Sequence, residues 1–394
     1  MIKPAFMPPV IIVGAHTVGL GVIRAFRDQP MDRVVLSYDH DDMGRASRYI
    51  SKLLDAPHPE NQKEEFITFL INLASDYHGA MLLPASDASL KTISYHKTEL
   101  SQYYSVACTD WAITQQYIDK KLTYALAEKV GVPAPHTMIP HSEADVEKYA
   151  QTVAYPCLVK PCESHVYFDH FHHKMVQAQN FNQMMKAYRD AANVGLEVML
   201  QEFIQGDDAD GVNYNAYYLD GEPLVEFTAR KIRNAPPQLG SPCAAVSANE
   251  QEVIAAGRRI LKAMGFYGFA CTEFKRDIHD GVYKLMEVNG RHNLSGALAI
   301  YCGVNFPLIH YRHLMLGEIP SQLDYRKGIY WIDLTRDWAY HLKRVLQREY
   351  PWKKFITPYQ NEHIFAILDA HDMGPFVKRV GTLMRDGLSG KRAV

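Results

Sequence analysis

Between Cys271 and Arg291 the chain reads CTEFKRDIHDGVYKLMEVNGR, and four of its side chains are of types that handle phosphate and metal: Glu273, Glu287, Asn289 and Arg291. The segment divides into two strand-like runs, CTEFKRD and VYKLMEVN, joined at His279-Asp280-Gly281. Asp-Gly between two alternating apolar runs is a hairpin signal. Glu287 and Asn289 stand two apart and so share one face of their strand, and Arg291 continues that parity. Two carboxylates and an amide oxygen brought together across a hairpin form a hard-oxygen site of the kind that holds Mg²⁺ beside substrate phosphates. A cation such as Arg291 can reach a phosphate being transferred. A hairpin with a solvated polar face has the same pattern. These residues alone leave the two readings open.

The elements that must position such a site belong to a chain of 394 residues, long enough to divide into more than one domain. A hydrophobic content of 47% with 22% charged residues is that of an ordinary globular protein. A net charge of −2 argues against a nucleic-acid-binding surface as the main function. The six cysteines include no CxxC pair, which indicates neither a zinc ribbon nor a redox motif. No apolar run is long enough to span a bilayer, and the first residues do not read as a secretory leader. The expected location is the cytoplasm, with no membrane partner.

Taken in order, the chain opens with an apolar strand, 10–13, a Gly-containing turn and a helical pattern, followed by strands at 33–38 and 80–83 and a helix at 66–75. Alternation of this kind predicts an open parallel α/β sheet over residues 1–113, with ligands at the carboxyl ends of its strands. That rim would carry residues 15–17, Arg45, Arg48, Ser86 and Asp87. Gly14, Gly19 and Gly21 are spaced G-x4-G-x-G rather than G-x-G-x-x-G, so a dinucleotide site is disfavoured. Glycines there serve a tight turn and close helix packing.

Residues 118–130 read as a helix with Lys120 and Lys121 in its first turn, and Ser142 as the N-cap of a helix at 143–150. A strand at 157–160 ends on Lys160, placed to meet a phosphate or simply to stand at a sheet edge. The loop 162–174 carries His165, His170, His172 and His173, and reads better as a lid than as a metal site, since no cysteine pair accompanies it. A strand at 198–204 runs into Gln205-Gly206-Asp207-Asp208, and a hairpin on Asp220-Gly221 ends in the basic cluster Arg230, Lys231 and Arg233. Residues 321–394 read as an appended subdomain.

The order of these parts resembles the ATP-grasp superfamily, in particular its carboxylate–amine ligases. TEFKRD…YKLMEVNGR and LQEFIQGDD carry the likeness most specifically, supported by KKLTYALAEKVGVPAP. The resemblance implies an α/β and α+β multidomain fold: an N-terminal domain at 1–113, a central and lid subdomain at 114–197, a metal-bearing subdomain at 198–320 and the extension beyond. It implies ATP and two Mg²⁺ ions, for which Mn²⁺ could stand in, with Glu273, Glu287 and Asn289 as metal ligands. Lys120 or Lys121, together with Lys160, would meet phosphate oxygens. Gln201, Glu202, Phe203 and Ile204 would form the hinge that reads adenine, and Asp208 would hold the ribose. Arg291 would meet the γ-phosphate or acyl phosphate, and Arg230 and Arg233 the substrate carboxylate. The familiar lid has several glycines and serines, whereas CESHVYFDHFHH has no glycine.

The activity so implied joins a small carboxylate to an amine through an acyl phosphate, releasing ADP and phosphate. Its rivals are an ATP-dependent carboxylase or carbamoyl-transfer enzyme that activates bicarbonate, and a nucleotide-binding protein without ligase chemistry. Substrate identity and oligomeric state stay open, a homodimer being the commonest assembly.

Overall fold

The computed structural model describes residues 7–162, 167, 170, 171, 173, 175–238 and 240–388. The chain forms two units, one from Met1–Thr123, Asp207–Phe274 and Glu287–Val394, the other from Tyr124–Gly206 and Lys275–Met286.

In the first unit, β1 (Val10–Val13), β2 (Arg33–Ser37), β3 (Lys52–Asp55), β4 (Met81–Pro84) and β5 (Ser105–Val106) pair in the order β3-β2-β1-β4-β5. Every pair is parallel, as the alternation of strands and helices predicts. The central strands VIIV and MLLP are buried along their whole length, the pattern of parallel strands covered on both faces. Gly14, at φ +116°, turns the chain into the helix Thr17–Ala25. A Cβ on Gly19 would stand 2.0 Å from the Gly14 carbonyl oxygen. The glycines thus serve the close packing of this helix on its turn.

The strands of the second unit's own sheet are β6 (Thr137–Met138), β7 (Cys157–Pro161), β8 (Val176–Ala178) and β9 (Val198–Glu202), antiparallel in the order β6-β9-β7-β8. The helices Glu143–Ala150 and Phe181–Ala192 cover it, burying Val146, Tyr149, Met184 and Ala187 against Val159 and Leu200. Ser142 caps the first of these helices, its hydroxyl accepting the Asp145 N–H at 3.2 Å.

A larger sheet runs β14-β13-β10-β11-β12-β15-β16, from β10 (Gly211–Leu219), β11 (Glu222–Ala235), β12 (Ser241–Ala248), β13 (Gly268–Arg276), β14 (Tyr283–Asn289), β15 (Tyr330–Ile332) and β16 (His363–Phe365). Asp220 and Gly221, at φ 50° and 78°, close β10 and β11 with positive backbone angles at both turn positions, as Asp-Gly hairpins do. The last part of the chain supplies β15 and β16 to this sheet, and Trp331 lies fully buried in its core beside Phe227, Phe269, Leu298 and Phe306. Asp372 fastens the same segment to the parallel sheet: it is 2% exposed and accepts from the Arg24 Nε, the Ser47 hydroxyl and the Arg48 N–H.

Candidate active site

Neighbouring strands carry the acids of the opening hairpin, Glu273 on β13 and Glu287 with Asn289 on β14. The Lys231 ammonium, from β11, donates to Glu273 Oε2 at 2.5 Å. It reaches β13 across the first residue of β10, Gly211, where a Cβ would stand 2.8 Å from Lys231 Cδ. Lys120 Nζ lies 3.7 Å from Glu287 Oε1. Arg291 makes a bidentate pair with Asp87, both distances 2.6 Å. Asn289 is buried.

These charges perturb one another. Burial pushes Glu273 up, but the charge and hydrogen bond of Lys231 outweigh it, with Arg291 and Lys120 adding, so its pKa falls below the ordinary glutamate value. Burial likewise opposes the charge on Lys231 and Arg291, and is overcome by Glu273 in the first case and by Asp87 in the second. Glu287 raises both cations further. Glu273 therefore stays ionised at neutral pH beside three cations, Lys120, Lys231 and Arg291. An all-oxygen donor set of two carboxylates and an amide suits Mg²⁺ in charge and hardness.

The rim of the parallel sheet contributes Asp87 and His16, whose imidazole is held neutral, at about 4, by burial and by Arg291. His16 Nδ1 accepts the Val18 N–H at 3.2 Å, which leaves the ring proton on Nε2. Tyr38 OH donates to Ser86 Oγ at 2.7 Å nearby. Arg45 and Arg48, expected on this rim, serve other ends: Arg45 pairs with Asp55, and the Arg48 N–H donates to Asp372.

In the second unit, Lys160 Nζ donates to Gln201 Oε1 at 2.5 Å, and Gln201 Nε2 to Thr137 Oγ1 at 3.0 Å. Glu202 accepts from the His136 N–H at 3.0 Å and from Lys284 Nζ at 2.9 Å. Lys284 also binds Asp277 at 2.9 Å, and its pKa rises to about 12 because those carboxylates outweigh burial. Lys275 Nζ stands 5.5 Å from the centre of the Phe203 ring. Ile204 is buried.

Two expectations are corrected. Asp208, expected at the ribose, is 7% exposed and has both oxygens taken: Oδ1 by the Asn234 side-chain amide and the Gln238 N–H, Oδ2 by the Asn234 N–H. It fixes the end of β11. Arg233, expected at the substrate carboxylate, is buried in a bidentate pair with Asp337 at 2.8 and 2.7 Å. Arg230 pairs with Glu250 at 2.9 Å and is half exposed. The residue of this basic cluster that reaches the acids is Lys231. Strand parity separates it from Arg230, and a register shift in β11 between Lys231 and Arg233 separates it from Arg233. Of the two first-turn lysines, Lys120 approaches Glu287, while the Lys121 N–H donates to Asp119.

In the histidine loop, His165 and His172 lie outside the described residues, and His170 and His173 are exposed. Among the described residues, Cys243, Asp337 and His341 stand close enough to share an ion, but Asp337 already holds the Arg233 guanidinium and the Tyr359 hydroxyl. That cluster does not fit a cation.

No protein-family model matches the chain. It is 25% identical over 325 residues to a D-aspartate ligase of Enterococcus faecium, covering 76% of this chain and 74% of that protein. It is 26% identical over 200 residues to a D-alanine–D-alanine ligase of Pseudomonas putida, covering 48% of this chain and 61% of that one. Among solved structures it superposes on the N5-carboxyaminoimidazole synthetase of Staphylococcus aureus complexed with ADP, at a TM-score of 0.61 and 15% identity over 82% of each chain. The fold is the ATP-grasp fold, with a parallel α/β sheet ahead of it. The relatives that match in sequence are ligases by name, and within that fold the chain resembles the carboxylate–amine ligases.

Proposed function

We propose that the chain activates a small carboxylate, of amino-acid size, as an acyl phosphate and passes it to an amine, with Glu273, Glu287 and Asn289 as the ligands of two Mg²⁺ ions. The observation that carries this reading is the convergence of Glu273 and Glu287 with Lys231, Lys120 and Arg291 along β13 and β14. A carboxylate is a poor electrophile, and phosphorylation by ATP gives it a better leaving group. Mg²⁺ supplies charge neutralisation at the transferring phosphoryl group. Lys231 keeps Glu273 in the anionic form that a hard cation requires. Lys120 and Lys160 meet phosphate oxygens as point charges, and Arg291, with its planar fork, stabilises the phosphoryl group in flight. Gln201 and Phe203 frame the adenine, which the backbone groups of Glu202 and Ile204 read.

The D-aspartate and D-alanine–D-alanine ligases among the relatives favour an amino acid as one of the two substrates. The same reading places the enzyme in the cytoplasm, as a homodimer, the commonest closed assembly. The three domain boundaries drawn from the sequence, near 113, 197 and 320, are proposed as limits of the N-terminal, central, metal-bearing and C-terminal parts.

Replacing Glu287 by Gln should lower substrate-dependent ADP release at least about 100-fold, the scale lost when a group stabilising transition-state charge is removed, with the circular-dichroism spectrum unchanged. ADP release at the wild-type rate would overturn the metal assignment. A screen of amino acids and other carboxylates against amines, with product masses recorded, identifies the pair.

A further inference from the structure

A second cavity opens at the other end of β13, at Gly268, five residues along the strand from Glu273 and so about 16 Å from it. It lies wholly within the first unit and encloses about 280 Å³, close to the lower end of small-molecule pockets. Four phenols, Tyr104, Tyr217, Tyr218 and Tyr267, are in its lining, and Lys97, His310 and His313 are among its polar groups.

Each polar group is placed by a stated contact. Lys97 Nζ is pinned by Tyr267 OH at 2.7 Å, the Cys108 carbonyl at 2.8 Å and Asp110 at 2.8 Å. With three acceptors around three protons it contributes charge rather than a further hydrogen bond. Its partner Asp110 is 67% exposed, so water screens the acid more than the 17% exposed lysine. His313 Nδ1 lies 2.7 Å from Tyr217 OH. With the phenol donating, the ring proton sits on Nε2. His310, one turn earlier on the helix Phe306–Leu316, is 8% exposed and lines the cavity, with its ring against Tyr217 at 5.3 Å. A Cβ on Gly268, which also lines the cavity, would stand 3.5 Å from His310 Nε2. A hydrogen bond from a ligand would offset part of the cost of burying this imidazole. Burial, with His313 and Lys97 nearby, holds His310 neutral, at about 3, so it offers one N–H as a donor.

Two imidazole N–H groups at positions i and i+3 of one helix, under the field of a lysine and between phenol rings, match the two oxygens of a carboxylate carried on an aromatic ring. We propose that this cavity is a binding site for a small aromatic carboxylate, separate from the ligase centre. It needs no metal and no covalent step, and it does not rest on the assignment of the reaction.

The test uses the full chain, labelled at histidine with ¹⁵N and titrated with 3-phenylpropionate, with 3-phenylpropanamide and propionate as controls. Because the probe is itself a carboxylate, the readout is the imidazole signals of His310 and His313, assigned through His310→Gln and His313→Gln, rather than turnover. The expected result is saturable movement of both signals with 3-phenylpropionate, at least tenfold tighter than with either control. His310→Leu should weaken binding at least tenfold while leaving ADP release in the absence of the probe unchanged. Should that variant not fold, His313→Gln, nearer the mouth, serves the same comparison. Equal binding of the amide, or signals of His310 and His313 that stay still while the probe binds, would overturn the proposal.

Discussion

Lys231 and Arg233 stand two residues apart on one strand, each holding a carboxylate, and the two pairs serve different ends. Arg233 and Asp337 are 1% and 0% exposed, and every contact is closed. The guanidinium makes two parallel bonds to the acid and a third to the Lys354 carbonyl, and lies 5.2 Å from the centre of the Phe355 ring. Asp337 accepts in addition from Tyr359 OH at 2.6 Å. Lys231 and Glu273 share one hydrogen bond, keep 15% and 19% of their side chains exposed, and feel Glu287 and Arg291 besides each other. A saturated pair resists exchange of partners. An open pair among further charges of both signs can give up its cation for a metal ion and its phosphate. The difference between scaffold and site lies in what surrounds the ion pair rather than in the pair itself.

Separating the two starts with the larger effect. Arg233→Met leaves Asp337 buried without its cation and should cost about 3–5 kcal/mol of unfolding free energy, the range for breaking one side of a buried pair. Chemical denaturation measures it. ADP release per folded molecule should stay within about twofold of wild type, since Arg233 has no free donor face toward a substrate. A folded variant of normal stability that has lost turnover would reverse the comparison and restore Arg233 to the substrate site.

The distinction was only half visible in the amino-acid order. That Glu287, Asn289 and Arg291 share one parity was legible because an Asp-Gly turn marks the hairpin, but parity alone left a metal site and a solvated face equally open. The parallel sheet was legible for a similar reason: VIIV and MLLP are continuous apolar runs between helical patterns. Arg233 was misread because a register shift in β11 turns it away and because its partner, Asp337, lies 104 positions on, in a segment whose role composition left open. That segment enters the large sheet through two strands of three residues each, too short to announce themselves by alternation. Asp208 was misread because its partners, Asn234 and Gln238, are gathered by the fold and not by spacing. Lys231 could have been chosen over its neighbours by one signal, the glycine that begins the adjacent strand.

Lys231→Met should act oppositely to Arg233→Met: ADP release down about tenfold or more, on the scale of a lost charge-assisted contact, and stability changed by less than about 1 kcal/mol, since both side chains touch water. Its pH dependence adds a sign. In the wild type Glu273 is held below the ordinary value of 4.5, so its contribution to stability is complete above that pH and is lost only as pH falls through the lower folded value. Without Lys231, burial acts with less opposition and the Glu273 pKa rises. The acid limb of Mg²⁺-dependent activity should move to higher pH. A pH–rate profile that does not shift would show that Lys231 is structural, as Arg233 is.

The smallest expected effect probes the path between the strands. Lys231 reaches Glu273 by passing its stem over Gly211, and a methyl group there would meet Lys231 Cδ at 2.8 Å and Cγ at 3.3 Å. It would also meet the Asp208 carbonyl oxygen at 3.2 Å, a contact that the backbone can relax by a few tenths of an ångström. The backbone at Gly211, with φ −84° and ψ 132°, is extended and accepts alanine without strain. Gly211→Ala should therefore fold with stability within about 1 kcal/mol of wild type. The lysine stem, being flexible, would swing aside and lengthen or break its contact with Glu273. ADP release should fall about two- to fivefold, less than in Lys231→Met because the cation remains nearby, and the acid limb should shift in the same direction by a smaller amount. If Gly211→Ala matched wild type in both rate and pH profile while Lys231→Met did not, the ammonium would be acting through its charge alone, and the 2.5 Å contact with Glu273 would not be what the site needs.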